Sequence, residues 1–249
     1  MIEPEIYVFD AYGTLFDVHS AVARHRAGLG PQADRLSELW RAKQLEYTWT
    51  RSLMGAYRDF RALTADALDH AAARCGGLAE GLRLPLLEAY ETLDAFPDVV
   101  PTLEALKARG RRIAILSNGT PGMLASAIQS AGLTDLIDDC LSVDEIMVYK
   151  TAPEAYRLVL ERFGVRPGQV SFQSSNRWDI AGAARFGFHT VWINRGGLPD
   201  EYQDLAPGRV LPGLSGLLAL ALTQRQKSAC DWPHFGPKGS HDDTAHPPA

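Results

Sequence analysis

The chain has 249 residues, with 25 Lys+Arg against 30 Asp+Glu and a formal net charge of −5. Its 46% hydrophobic and 22% charged residues exclude wholesale disorder and collagen-like repeats. At about 150 residues per domain the length suits one large or two modest domains, and a chain of this size buries about 70–75% of its unfolded surface without needing a disulfide or a metal. The mild acidity disfavours a nucleic-acid partner, which calls for a basic stripe.

The chain opens with Glu3 and Glu5, where a secretory signal would be basic. Its apolar runs fall short of the ~20 residues of a membrane span. Both features predict a soluble cytoplasmic protein with no membrane partner. The run Ile6-Tyr7-Val8-Phe9 ends on Asp10 and a Gly-containing turn, Ala11 to Thr14, and reads as a buried strand and its loop. Residues 17–96 then show helical periodicity without a convincing strand. Helices are predicted at 34–54, at 64–75 (opened by Thr64 and closed by Gly76-Gly77) and at 84–95.

Strand-like runs resume at 112–117, 170–174 and 190–193, separated by helical segments at 121–131, 153–163 and 178–186. Pro121 and Pro153 stand near helix starts, and Gly132, Gly164 and Gly187 near ends. Strands alternating with helices specify an α/β fold with a Rossmann-like parallel sheet and right-handed crossovers. The expected division is a core of 1–16 and 97–223, an inserted all-helical cap of 17–96 packed over the C-terminal edge of the sheet, and a mobile tail of 224–249. Cys75, Cys140 and Cys230 form no CxxC pair, and with His234, His241 and His246 scattered through a Pro-rich tail no metal cluster is predicted.

Ligands of open parallel sheets bind beyond the strand C-termini. There the sequence places Asp10, Tyr12 and Thr14 after the first strand, and Ser117, Asn118 and Gly119 after the second. Ser174, Ser175, Asn176 and Asp179 follow the third, and Lys150 precedes a helix. Each has a plain structural explanation, since Ser and Asn cap helices and Asp is common in turns. Their convergence on one sheet edge points to a catalytic mouth.

These segments, with LWRAKQLEYTW at 39–49, resemble the motifs of the haloacid dehalogenase superfamily, and within it the 2-haloacid dehalogenases acting on L-enantiomers. The similarity spans residues 5 to about 195. It implies hydrolysis of a small anionic 2-haloacid to a 2-hydroxy acid and halide, with no cofactor and no metal, by a homodimer for which the 34–54 helix is a candidate surface. Asp10 would attack C2 and carry a covalent ester, and water would then cleave that ester. Lys150 would keep Asp10 ionised, while Asp179, with Ser174 and Asn176, would orient or deprotonate the water. Thr14 and Ser117 would hold the substrate carboxylate. Arg41 and Asn118 would stabilise the departing halide, with Phe60 as an apolar wall. Leu45, Phe60 and Trp178 would surround the alkyl group, Tyr12 would line the pocket and Tyr156 would support its polar side. Arg177 either adds positive charge near the entrance or faces solvent.

Two alternatives stay open on the sequence. One is a Mg²⁺-dependent phosphatase on the same fold. Such enzymes carry a second Asp where this chain has Tyr12, and a phenol of pKa about 10 is a poor acid for a leaving alcohol. The other is a catalytically silent binding protein.

Overall fold

The computed structural model describes residues 4–219; the tail expected at 224–249, with Cys230 and its histidines, lies outside the described residues. Six strands form one parallel sheet: β1 (Ile6–Phe9), β2 (Arg112–Ser117), β3 (Asp139–Ser142), β4 (Val170–Ser174), β5 (His189–Ile193) and β6 (Arg209–Leu211), in the spatial order β3-β2-β1-β4-β5-β6. β1 is central, with Phe9 opposite Ile115 on one side and Gln173 on the other. The order reverses beside β1, so the crevice beyond its last residue is the topological switch point of the sheet.

The central strands are apolar runs because both faces are covered. Alternate residues divide between two hydrophobic clusters. Tyr7, Phe9, Ile113 and Ile115 face one side, where α6 (Val99–Ala108) and α7 (Pro121–Ser130) pack through Leu103, Leu106, Leu124 and Ala127. Ile6, Val8, Ala114 and Leu116 face the other, covered by α8 (Pro153–Phe163) and α9 (Arg177–Phe186) through Val159, Ile180 and Phe186.

Between β1 and α6 every regular element is helical: α1 (Ser20–Arg24), α2 (Arg26–Leu29), α3 (Ala33–Met54), α4 (Phe60–Arg74) and α5 (Arg83–Glu91). The hydrophobic interior of these helices, including Leu36, Trp40, Leu63 and Leu86, is continuous with the first face of the sheet through Tyr12, Leu15 and Phe16. The chain leaves the sheet and returns side by side, with Phe16 bridged to Ala95 and Phe96 N–H donating to the Leu15 carbonyl.

The structure corrects several boundaries. α4 begins at Phe60, four residues before the expected Thr64. Asp59 is the true N-cap, accepting from Ala62 N–H at 2.9 Å. The Thr64 hydroxyl instead donates back to the Phe60 carbonyl at 2.7 Å, inside the helix. α5 stops at Glu91, short of residue 95, where Thr92 turns the chain and accepts from Arg24. β3, β6 and α6 had no counterpart among the expected elements. β3 and β6 are four and three residues long and lie at the sheet edges, without an apolar run to mark them. α6 has an N-cap residue, Asp98, whose carboxylate is bound to Arg195 and Leu214 N–H and makes no capping bond.

Replacing the α4 cap, Asp59→Ala, should lower unfolding stability by about 1 kcal/mol, whereas capping by Thr64 would predict no loss. Urea unfolding of the two proteins checks this.

Candidate active site

Asp10 follows the last residue of β1, and its backbone N–H donates to Gln173 of β4 at 2.9 Å. The carboxylate is 4% exposed and is held on both oxygens. Oδ1 accepts from Lys150 Nζ at 3.0 Å. Oδ2 accepts from Thr14 Oγ1 at 2.9 Å, Ser174 Oγ at 3.3 Å and Asn176 Nδ2 at 2.8 Å. Gly13 sits at φ +90°, a conformation open to glycine, and this turn brings Thr14 back over the residue four before it. Thr14 is fixed in turn by Ser175 N–H and by Arg195, which donates to its carbonyl while forking onto Asp98.

Lys150 Nζ also donates to Asp179 Oδ2 at 2.9 Å, so one ammonium with no side-chain exposure lies between two carboxylates. Burial alone would lower the pKa of this lysine, but the charges of Asp10 and Asp179 more than reverse that and raise it. For Asp179, burial pushes the carboxyl up to about 6, opposed by Lys150 and aided by the Asp10 charge. Tyr156 donates to Asp179 Oδ1 at 2.8 Å. Asn118 accepts the Lys150 backbone N–H at 3.1 Å, which leaves its amide nitrogen to donate.

Arg41 reaches the cluster from α3. Its Nη2 donates to the Tyr12 carbonyl at 3.1 Å and to Asn176 Oδ1 at 3.4 Å, and its Nη1 to Gln44 Oε1 at 2.8 Å. Ser117, fully buried, accepts from Gly119 N–H at 3.1 Å and keeps its hydroxyl proton. The Phe60 ring lies 5.3 Å from the Tyr12 ring, and Leu45 is half-buried one turn beyond Arg41. The Tyr12 ring stacks on Tyr90 at 5.8 Å and packs against Gly119, where a Cβ would lie 2.7 Å from it. The Tyr12 hydroxyl is buried without a hydrogen-bond partner, and burial raises its pKa well above the usual phenol value.

One expectation changes, that for Arg177. The Trp178 indole packs edge-on to Trp49 at 5.4 Å, and the two line one cavity. The 100° step between neighbouring helix residues sends Asp179 inward and Trp178 sideways. Tyr156 has no exposure and lies beneath Asp179, holding it from the core side. Arg177 neither faces solvent nor charges an entrance. It is 4% exposed and braces the loop after β5 through Asp200 and the carbonyls of Tyr202 and Leu205.

Gln44 and Tyr149 belong to the site and were not expected there. Gln44 is fully buried, accepting from Arg41 and Tyr90 and donating to Thr64; a polar residue at a core-facing helical position was its only signal. Tyr149 donates its hydroxyl to the Arg58 carbonyl and its N–H to Ser52. The loop carrying Lys150 is therefore bolted to the α3–α4 turn.

Among the described residues no group of three or more His, Cys, Asp or Glu side chains is placed to hold a metal ion. The space between Asp10 and Asp179 is taken by the Lys150 ammonium, so these two carboxylates do not fit a shared divalent cation.

A buried carboxylate at the switch point of a parallel sheet, paired with a lysine and lying beneath helices, is the mark of an α/β enzyme built around a carboxylate centre. Residues 4–187 match the haloacid dehalogenase-like hydrolases, and the chain belongs to that family. It is 52% identical over 220 residues to (S)-2-haloacid dehalogenase 1 of Pseudomonas sp. (strain CBS-3), covering 87% of this chain and 97% of that one. Haloacetate dehalogenase H-2 of Moraxella sp. (strain B) is 39% identical, over 87% of this chain and 97% of its own. A crystal structure of a dehalogenase with an intermediate complex superposes with a TM-score of 0.86 at 46% identity, covering 88% of this chain and 97% of that chain.

The unfolded chain releases the Asp179 proton near 3.8, and the folded chain near 6. The folded state therefore holds the extra proton between these values. The contribution of this group to stability is complete below pH 3.8 and is lost as the pH rises through 6. In urea unfolding at stepped pH, Asp179→Asn should flatten the fall in stability over that window, and an unchanged slope would place the titration elsewhere.

Proposed function

We propose that the chain hydrolyses the carbon–halide bond of (S)-2-haloalkanoic acids and haloacetates, yielding 2-hydroxy acids and halide with inversion at C2. The observation that carries this reading is the Asp10 carboxylate, buried, ionically paired with Lys150 and aimed by Thr14, Ser174 and Asn176. A carboxylate is a weak nucleophile in water, and partial desolvation with fixed orientation is what it needs. The names of the relatives agree with that chemistry.

Asp10 displaces halide from C2, forming an ester as the carbon–halogen pair leaves with the halide. Oδ1, with one donor, keeps a lone pair for this attack; Oδ2, with three donors, becomes the ester carbonyl. Water then adds to that carbonyl carbon. The same three donors meet the oxyanion that develops, which is the arrangement that lowers such barriers most. We assign removal of the water proton to Asp179, which returns it to the departing 2-hydroxy oxygen; the second proton of that water, left on Asp10, passes to solvent and restores the carboxylate. Ser117 and the backbone N–H groups nearby receive the substrate carboxylate, the one Thr14 hydroxyl proton being spent on Asp10, and Arg41 with Asn118 receives the halide. Leu45, Phe60 and the Tyr12 ring form the apolar wall. The helices of 17–96 act as a cap that brings Arg41 over Asp10.

The hydroxyl of Tyr12, unpartnered and hard to ionise, stands where a phosphatase of this fold would need its acid. Together with Lys150 between the carboxylates, this supports a metal-independent reaction. Leu53 and Met54, 89% and 66% exposed at the end of α3, are the surface we assign to a homodimer.

Chloride release from (S)-2-chloropropionate should persist in EDTA and vanish in Asp10→Asn. Phosphate-ester turnover that needs Mg²⁺, without chloride release, would overturn the proposal. A single turnover in ¹⁸O-water should place label in Asp10. Asp179→Asn should release about one equivalent of chloride per site and then stall with the ester in place, whereas a loss of that first equivalent would remove the base assignment.

A further inference from the structure

A cavity of about 850 Å³, whose lining does not include Asp10, opens beside Trp178. Its walls are Trp49 of α3, Trp178 and Phe186 of α9, and Tyr202 and Leu205 of the loop after β5; Thr151 and the first turn of α8 close one end. Trp178, Gly182 and Arg185 share one face of α9, at helical spacing. Arg157 and Arg185 stand at the rim, both exposed, and neither makes an ion pair or hydrogen bond among the described residues. Arg26, Arg58, Arg61, Arg83 and Arg162, also exposed, each hold a carboxylate. Glu154 is the one acid in the lining, against two guanidinium groups.

Size, shape and charge narrow the occupant. The volume lies in the range that takes ligands of drug size, far larger than a haloacid of a few atoms. Four aromatic side chains offer flat apolar area, and planar guanidinium forks bind a carboxylate through paired N–H donors. We propose that this groove is a second binding site, for a flat two-ring aromatic carboxylate. The rings lie among Trp49, Trp178, Phe186 and Tyr202, and the carboxylate meets Arg157 and Arg185. The proposal is independent of the reaction assigned to Asp10.

Calorimetric titration of the full chain with 2-naphthoate tests it. One saturable site is expected. Replacing both arginines, Arg157→Ala with Arg185→Ala, should weaken binding about tenfold or more, and the Lys pair at the same positions should restore most of it. 2-Naphthalenemethanol, with the same rings and no charge, should bind as weakly to the native chain as 2-naphthoate does to the Ala pair. Asp10→Asn should leave the affinity for 2-naphthoate unchanged. Absence of saturable binding, an affinity indifferent to the arginines, or competition by 2-chloropropionate would overturn the proposal. Affinity that falls as protein concentration rises would overturn it too, since a second copy of the chain would then hold the groove.

Discussion

The structure turns on one buried cation. Removing an ammonium from water is expensive, and it is tolerated where opposite charges and hydrogen bonds replace the solvent. Lys150 meets that requirement with Asp10 on one side and Asp179 on the other, each at hydrogen-bond distance. Neither carboxylate is left to the lysine alone. Thr14, Ser174 and Asn176 hold the first, Tyr156 holds the second, and Asn118 fixes the backbone between them. Loss of Lys150 leaves two buried carboxylates without a counter-charge, so both depend on one residue. Within this cluster Asp179 is a carboxyl of raised pKa, because burial there outweighs the pull of the Lys150 charge.

The net charge of −5 disfavours nucleic acid and describes nothing about the mouth. There, Lys150 is shared by Asp10 and Asp179, and Arg41 serves the edge of the cluster, donating to the Tyr12 carbonyl and to Asn176. The substrate proposed here is itself an anion, so its carboxylate must be received by hydroxyl and amide donors and not by surplus positive charge. Arg41 is held to this duty by Gln44, a buried amide that accepts from it and from Tyr90 while donating to Thr64. A guanidinium fixed at its base keeps its remaining donors in one place, which is the condition for stabilising charge that appears only as the bond breaks.

What could be read from the sequence follows from range of interaction. Buried strands such as Ile6–Phe9 announce themselves through continuous apolar residues, and the loops after them place Asp10, Ser117 and Ser174 at one edge by topology alone. Edge strands carry no such signature: Asp139–Ser142 and Arg209–Leu211 exist because a neighbour pairs with them. Caps were legible only where the side chain spends itself locally. Thr64 looks like a cap and bonds elsewhere, while Asp98, in the capping position, gives its carboxylate to Arg195. The motifs point to Asp179 and Trp178 alike. Helix geometry then separates them, one into the charge network and one toward Trp49. Tyr149, and the Thr64 and Tyr90 bonds of Gln44, escape such reading because the partners are distant in the chain.

The bridge between Phe16 and Ala95 has a bearing on how the molecule assembles. The central strand pairs only with segments that lie a long way along the chain, and the closure entropy of such pairings must be met before they return any stability. Joining the two ends of the helical stretch removes most of that span in one contact, since β1 and the approach to β2 are then neighbours. The helices between can gather among themselves, being local structure, and deliver the sheet a short connection in place of a long one. Nucleation of the parallel sheet is thereby coupled to collapse of the helices above it, and the catalytic crevice is enclosed as the two layers form.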